Sequence, residues 1–446
     1  MEDARGIALD TTSATALEHH EHALWRMVSF YGDPAAELDA LIAADPDWGL
    51  PRVMKAGFLL SLTEPSLVPQ ARALLEQAEP MMAQSPSRER NHLHAVGECL
   101  AGRWGEAVGL WEEILLEFPR DLLALTLAHL FDFYRGDARN LRGRVARVLP
   151  EWDERDPLYP YVLGMLAFGL EECNFYPQAE LAGRQALALN ARGPWAIHAV
   201  AHVMEMQGRH DEGARWLRSR RADWDEDNGL RVHQWWHLAL FQLETLDVEG
   251  ALEVYDAAIG GPASVVNLQW LDAAALLWRI QLLGGDVGPR WQALAQAWTD
   301  PVAHAGHYAF NDVHALMALL GSGDAARVRA LVAACSAAVS RPAPEGAPDN
   351  RRMARDIGLP LMFGLTAYAR GEHAEAVRRL LPLRGTAHRF GGSHAQRDVI
   401  EQTLLAACAG VGGDRALGRA LINERVLTKA HTPLTAHWAH KLGMTG

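Results

Sequence analysis

The sequence predicts an all-α fold assembled from repeated helix pairs, and three observations support this class. The segment around Ala179 recurs around Gly213, and the segment around Ala107 recurs around Leu141, in both cases 34 residues later. Apolar residues between the links follow the period of a helix, and no segment keeps the two-residue alternation of a strand. A period of about 34 residues is typical of a tetratricopeptide array. We therefore expect a tetratricopeptide-like α/α solenoid, a superhelical array of antiparallel helix pairs.

Local signals mark where the predicted helices begin and end. Pro157 and Pro194 stand where proline starts a helix, in its first turn. A small residue near the start of each second helix allows that helix to pack closely on the first. One second helix shows the helical period in its apolar and small residues: Ala179, Leu181, Ala182, Ala186 and Leu189. Looser copies of the link between helices follow at Asp247-Val-Glu-Gly-Ala, Gly323-Asp-Ala-Ala-Arg and Glu372-His-Ala-Glu-Ala.

A proline-rich segment interrupts the array. Residues 341–350 contain three prolines and a glycine, which cannot continue a helix. We predict tetratricopeptide-like helical repeats over residues 1–340, a proline-rich loop over 341–350, and C-terminal helical repeats over 351–446 that continue the array.

Charge and cysteine content exclude several classes of function. The formal net charge is -13, and no run of Lys or Arg supplies a basic face, so we expect neither nucleic acid nor an anionic membrane as a partner. No stretch of about 18 apolar residues is free of charge, so we expect no membrane span. The four cysteines form no C-x-x-C pair, which argues against a zinc ribbon and a disulfide framework. Together with the lack of a secretory apolar segment, this predicts a cytoplasmic protein.

Several segments resemble the tetratricopeptide repeat protein 38 family, and the resemblance covers nearly the whole chain. The segments that carry it are Thr11-Thr-Ser, Asn174-Phe-Tyr, Ile197-His-Ala-Val-Ala-His, His233-Gln-Trp-Trp-His, Phe310-Asn-Asp-Val-His, Arg355-Asp-Ile-Gly-Leu-Pro, Gly391-Gly-Ser-His-Ala-Gln-Arg-Asp and Thr432-Pro-Leu-Thr. The resemblance implies an α/α solenoid and implies no particular reaction.

The clearest chemical pattern is a doubled His-x-x-x-His. His198 and His202 are four residues apart, and so are His233 and His237. Residues at this spacing share one face of a helix, with Cβ atoms about 5–6 Å apart. The two pairs are 35 residues apart, close to one repeat, so we expect all four imidazoles to face the same groove. Glu205, one turn after His202, is expected to join them.

Imidazole ligands suit transition metals, and we predict that the four histidines bind a divalent ion such as zinc, iron or manganese. A catalytic metal lowers the pKa of its bound water and so promotes hydrolysis of a small substrate, with Glu205 or Glu172 as the candidate base. The motif is not H-E-x-x-H, so the zincin mechanism does not transfer. In the alternative interpretation, the histidines donate hydrogen bonds to a peptide or to neighbouring carboxylates.

Asn311, Asp312 and His314 form a second candidate group. In a functional interpretation, Asp312 and His314 take part in catalysis, with Asp312 orienting a histidine ring, and Asn311 binds substrate. In the alternative, Asn311 or Asp312 is the N-cap of a helix.

Further candidates for substrate binding come from three other places. Arg397, next to Asp398, can hold a substrate carboxylate by two hydrogen bonds. In the alternative, Arg397-Asp398 and Arg355-Asp356 belong to salt bridges between helices. Asn174 and Glu172 are predicted at a helix end. Either both side chains reach the rim of a groove, or they form hydrogen bonds with the unpaired backbone groups of the helix end. Trp236 either packs in the interior or stacks on a ligand ring.

These observations leave two functions open. The first is a solenoid whose histidine-rich concave pocket binds a small molecule or peptide, and which acts as a metal-dependent hydrolase or oxidoreductase on a small molecule. It predicts an enclosed pocket with convergent polar groups. The second is a non-catalytic protein–protein interaction scaffold, which predicts a wide, open groove.

Overall fold

The computed structural model describes residues 1–298, 300–341, 348–429 and 432–444. All regular secondary structure in these residues is helical, apart from two isolated bridges that pair Glu2 with Ala8 and Tyr31 with Asn228. The predicted all-α fold, an α/α solenoid of packed helix pairs, is confirmed. Within the described ranges, no helix has the length and apolar character that crossing a membrane requires.

Contacts divide the chain into two units. The first contains the described residues of Met1–Val200, Ala222–Leu230 and Pro344–Asp349. Its helices are α1 (Ala14–Ser29), α2 (Pro34–Ala44), α3 (Leu50–Ser61), α4 (Val68–Met81), α5 (Ser87–Leu100), α6 (Trp104–Glu117), α7 (Leu122–Tyr134), α8 (Ala138–Val148), α9 (Tyr159–Glu171), α10 (Tyr176–Leu189) and the first part of α11 (Pro194–Met206).

The second unit contains the described residues of Ala201–Arg221, Arg231–Ala343 and Asn350–Gly446. After the end of α11, its helices are α12 (His210–Ser219), α13 (Arg231–Glu244), α14 (Val248–Val254), α15 (Asn267–Leu282), α16 (Arg290–Ala297), α17 (Ala309–Gly321), α18 (Ala325–Ser340), α19 (Asp349–Met353), α20 (Leu359–Ala369), α21 (His373–Leu380), α22 (His394–Ala409), α23 (Arg415–Arg425) and α24 (Pro433–Lys441). Short π-helical turns extend α14 over Tyr255–Ile259 and precede α20 over Ala354–Gly358.

Consecutive helices pack as adjacent pairs in both units, for example α9 with α10 and α13 with α14. The repeat positions found in the sequence lie near the starts of second helices: Ala107 in α6, Leu141 in α8, Ala179 in α10 and Gly213 in α12. All four are buried. The 34-residue spacing therefore marks a buried position in the first turn of these second helices.

The first helices of the second unit also pack on one another. Helix α15 contacts α13 and α17 on either side, and it contacts α22 as well. As a result α15 is buried along most of its length, including the charged residues Asp272 and Arg279, which are each 1% exposed. The inner face of α15 is therefore part of a packed core.

The proline-rich segment lies between two helices. Helix α18 ends at Ser340 and α19 begins at Asp349. Residues 342–347 of the predicted loop are outside the described residues.

Candidate metal centre

Two helices carry the four predicted histidine ligands. Helix α11 presents His198 and His202 one turn apart, and α13 presents His233 and His237 in the same way. The division into units falls inside α11, which is one continuous helix, so His198 counts with the first unit and the other three with the second. One nitrogen of each of the four rings lies within 4.8 Å of the others, and this group can hold a metal ion.

The imidazole rings contact one another edge to face. The ring centroids of His202 and His237 are 4.4 Å apart, and those of His233 and His237 are 4.8 Å apart. His202 and His237 are 0% exposed and His198 is 1% exposed. Three of the four histidines are therefore buried, and His233, whose side chain is 17% exposed, is the ligand nearest to solvent.

Two of the imidazole rings each contact a buried carboxylate. The Nδ1 atom of His233 is 2.7 Å from Asp272 Oδ2, and the Nδ1 atom of His237 is 2.9 Å from Glu205 Oε2. A carboxylate accepts hydrogen bonds, so each ring carries a proton on Nδ1. This is the arrangement by which metal-binding histidines are usually oriented.

Further charges surround Glu205. Its Oε1 atom is 3.8 Å from the Lys429 ammonium, which in turn donates a 3.0 Å hydrogen bond to Glu244 Oε1. Burial raises the pKa of Glu205, and the charge of Lys429 opposes that rise. Burial acts on Glu244 in the same direction, but Lys429 and Arg425 hold the pKa of Glu244 below its ordinary value. Arg425 also donates a 2.7 Å hydrogen bond to Asp398 Oδ1.

This buried shell carries more carboxylates than cations. Asp398 is half-buried, and the other members are under 10% exposed. The acidic members are Glu205, Glu244, Asp272 and Asp398, and the basic members are Arg279, Arg425 and Lys429. With four acidic and three basic groups, the formal charge of the shell is negative. A cation placed among the four imidazoles would reduce that imbalance.

Trp236 packs against the histidines from the interior. Its ring is 0% exposed and stacks on His233, with centroids 5.1 Å apart and planes 14° apart. The Arg279 guanidinium lies over the same indole, 5.4 Å from its centroid, and donates a 2.7 Å hydrogen bond to the Ala395 carbonyl. Trp236 therefore helps to fix the orientation of His233.

The second predicted group, Asn311, Asp312 and His314, lies in the first part of α17 and does not cap it. The N-cap residue of α17 is Tyr308, so neither Asn311 nor Asp312 caps this helix. Asp312 Oδ2 accepts a hydrogen bond from the Gly306 N–H at 3.1 Å, and its carboxyl also contacts the Cys335 thiol. Burial raises the pKa of Asp312 to about 7. Asn311 is buried in the first turn of α17.

His314 is held in one tautomer by its own helix. Its Nδ1 atom is 2.8 Å from the Phe310 carbonyl, which can only accept, so the proton is on Nδ1. Burial lowers the pKa of His314 to about 4, and Asp272 and Arg279 lie near enough to act on it electrostatically. The ring is therefore neutral at physiological pH.

The two predicted Arg-Asp pairs differ in the structure. Asp398 forms a bridge between helices, but with Arg425 of α23, while Arg397 donates to the Gly392 carbonyl. Arg355 and Asp356 pair with each other within one helical turn at the surface, so this pair does not join two helices.

Glu172 and Asn174 lie in the link between α9 and α10, in the first unit. Glu172 is the buried C-cap residue of α9. Asn174 has a φ of 63°, in the left-handed region that asparagine tolerates better than most residues, and its side chain accepts a 2.8 Å hydrogen bond from the Tyr176 hydroxyl. Asn174 therefore shapes this turn.

Sequence reasoning missed Asp272, Glu244 and Lys429. A signal for Asp272 was present, because it follows His237 by 35 residues just as His237 follows His202. Glu244 and Lys429 are 185 residues apart in the chain, and no local pattern connects them. A comparison with protein-family models finds no match to this chain.

Proposed function

We propose that this protein binds a divalent transition metal through His198, His202, His233 and His237 and uses it to act on a small molecule, with hydrolysis as the reaction. The observation that carries the proposal is the pair of carboxylate–histidine contacts, Asp272 with His233 and Glu205 with His237. Carboxylates orient the histidine ligands of zinc and iron in the same way.

The electrostatics of the interior support a cation at this place. Burying a charge is costly unless an opposite charge compensates it. Here a bound divalent ion would compensate the surplus of carboxylates around the four histidines. Zinc, iron and manganese all fit a mixed shell of imidazole ligands and nearby carboxylates.

The burial of the histidines favours a small-molecule site over a peptide-binding scaffold. A peptide in an open groove needs side chains that it can touch, whereas His202 and His237 are 0% exposed. Helix α22 also covers the inner face of α15 in the second unit. A non-catalytic scaffold remains the competing proposal, with its partner bound on another surface.

In this proposal each residue has a defined task. A bound metal would supply Lewis acidity and lower the pKa of a coordinated water. Asp272 and Glu205 would hold two imidazoles in the binding tautomer, and Trp236 would fix the His233 ring by stacking. With iron bound to the same four histidines, the expected activity would be that of an oxidoreductase and not of a hydrolase.

We also propose that the chain belongs to the tetratricopeptide repeat protein 38 family. This proposal rests on the sequence segments that resemble the family, two of which carry the four histidines.

Elemental analysis of untagged protein, purified without chelator, tests the metal proposal. We expect about one equivalent of transition metal in the wild type and at least a tenfold lower content in His202→Ala, because one ligand of four is lost. His22→Ala, whose side chain is 69% exposed, is the matched histidine control and should keep its metal. If neither wild type nor control takes up zinc, iron or manganese on addition, the proposal is wrong.

A further inference from the structure

The four proposed metal ligands differ in their access to solvent. His198, His202 and His237 are buried, whereas the side chain of His233 is 17% exposed. Helix α13 begins at Arg231, so His233 lies in its first turn, and the other three histidines lie further inside α11 and α13. The end of a helix opens at a lower free-energy cost than its interior. Of the four rings, that of His233 can therefore leave its place most easily.

The two carboxylates that contact these rings also differ. Glu205 accepts from His237 through Oε2, and its Oε1 atom lies 3.8 Å from the Lys429 ammonium. Asp272 accepts from His233 through Oδ2, but its Oδ1 atom is buried and has no hydrogen-bond partner among the residues that the structure describes. A buried polar atom in a native protein is nearly always hydrogen-bonded. Asp272 can therefore accept a further N–H or O–H group beside His233.

The His233 ring makes three contacts that another molecule would make in its place. It donates to Asp272, and it stacks on Trp236 with the centroids 5.1 Å apart and the planes 14° apart. One of its nitrogens also belongs to the group that can hold the ion. A catalytic zinc commonly keeps three protein ligands and leaves the fourth position to water or substrate. The contacts of His233 therefore describe the chemistry of a molecule that fills this fourth position.

We propose that His233 is the exchangeable ligand of the metal and that the substrate takes its place, while His198, His202 and His237 retain the ion. The contacts of this place define the substrate as a small, planar molecule that offers a lone pair to the metal and an N–H to Asp272, as an amide group does. The surplus of carboxylates around the site disfavours a negatively charged substrate. This inference rests on the proposed function and adds the substrate class to it.

Cobalt binding to the full-length protein, followed by the visible absorption of the ion, compares the ligands. His233→Ala should bind cobalt at least tenfold more tightly than His202→Ala, because water from the solvent can fill the vacated position only where solvent reaches it. His22→Ala, whose side chain is 69% exposed, is the matched control and should bind cobalt as the wild type does.

Imidazole and N-methylimidazole are the probes of the vacated place, because they share one ring and only imidazole keeps an N–H when bound to the metal. At about pH 8 imidazole is largely uncharged. It should change the cobalt spectrum of His233→Ala and leave that of His202→Ala unchanged, since the place of His202 is buried. N-methylimidazole should bind His233→Ala about tenfold more weakly, because a hydrogen bond to a charged acceptor is lost. Adding Asp272→Asn to His233→Ala should reduce this preference to about threefold or less.

The wild type provides a test that does not depend on the folding of any variant. Excess imidazole should change its cobalt spectrum while the cobalt stays bound, because imidazole replaces only His233. An unchanged spectrum, equal binding of both probes to His233→Ala, or cobalt binding as weak in His233→Ala as in His202→Ala would overturn the inference. In each of these cases the metal site itself stands, because the wild type binds cobalt. If the wild type binds no cobalt, the proposed function fails and the inference fails with it.

Discussion

At the scale of single residues, the function of the histidine group depends on which ring nitrogen carries the proton. Glu205 and Asp272 settle this for His237 and His233 by accepting from Nδ1. The position of Glu205 one turn after His202 was predictable from helical spacing. Its partner proved to be His237 on the next first helix, because neighbouring repeats bring α11 and α13 side by side.

Replacing Glu205 by glutamine should weaken metal binding. The amide keeps the size of the side chain but loses the negative charge that makes His237 a better ligand. Changes to the groups that hold metal-binding histidines usually cost about 10–100-fold in affinity, and we expect a loss in that range. A competition titration with a chromophoric chelator measures it. Glu253→Gln, at an exposed position of α14, should match the wild type, and equal affinity of Glu205→Gln would rule out the orienting role.

Asp312 should make stability depend on pH in a predictable direction. Burial raises its pKa from 3.8 to about 7. Below about pH 3 the carboxyl is protonated in both the folded and the unfolded chain and has no differential effect. As the pH rises from there toward 7 the unfolded chain loses this proton first, so the native state loses stability relative to it. Above about pH 7 the penalty is constant, on the order of 4 kcal/mol.

The variant Asp312→Asn removes this penalty while keeping an acceptor for the Gly306 N–H. Its urea midpoint should therefore exceed that of the wild type at pH 8, and the two should converge near pH 3. Using the difference between the two proteins cancels the contribution of other buried groups such as His314. A difference that is independent of pH would show that Asp312 does not titrate in this range.

At the scale of helices, small residues allow neighbouring helices to approach each other closely. A Cβ atom at Gly213 would lie 2.2 Å from Cζ of Phe241, and Phe241 is 1% exposed and so cannot move easily. The sequence predicted a small residue here, since Gly213 occupies the repeat position that Ala179 occupies 34 residues earlier. The predicted contact was with the preceding helix, whereas Gly213 of α12 meets Phe241 of the following helix, α13.

Gly213→Ala should therefore destabilise the protein by about 1–2 kcal/mol. Alanine favours a helix over glycine by about 1 kcal/mol, but overpacking a buried site costs typically 1–3 kcal/mol, and here the clash is severe. The control is Gly109→Ala on α6, where an added Cβ has no neighbour within 4 Å, so only the gain in helix propensity remains. Chemical denaturation should show opposite signs for the two variants, and stabilisation by both would contradict the packing argument.

The sequence predicted less about contacts between distant segments. The packing of α22 on α15 and the salt bridge between Glu244 and Lys429 join residues more than a hundred positions apart. Such contacts depend on how the repeats curve, and no periodic signal encodes that. Asp272 was partly predictable. It follows His237 by the same 35 residues that separate His202 from His237, but it is an aspartate where the earlier two positions are histidines.

At the scale of the whole molecule, a bound metal should stabilise some helices and leave others unchanged. A ligand that binds only the native state stabilises it by about 2.7 kcal/mol when its free concentration is 100 times its dissociation constant. The contacts of the chain form two units, so a single unfolding transition cannot be assumed, and a local measurement is needed. Hydrogen exchange followed by mass spectrometry provides one.

We expect zinc to slow amide exchange in α11 and α13 by up to about 100-fold, the factor that corresponds to this stabilisation. Helices α1 and α2 carry none of the four ligands and should exchange at the same rate with and without zinc. In His202→Ala the protection of α11 and α13 should be lost, while His22→Ala should retain it. Protection spread evenly over all helices, or protection that persists in His202→Ala, would mean that zinc binds elsewhere. Because α11 begins in one unit and ends in the other, the helix tests directly whether His198 and His202 respond to the same ion.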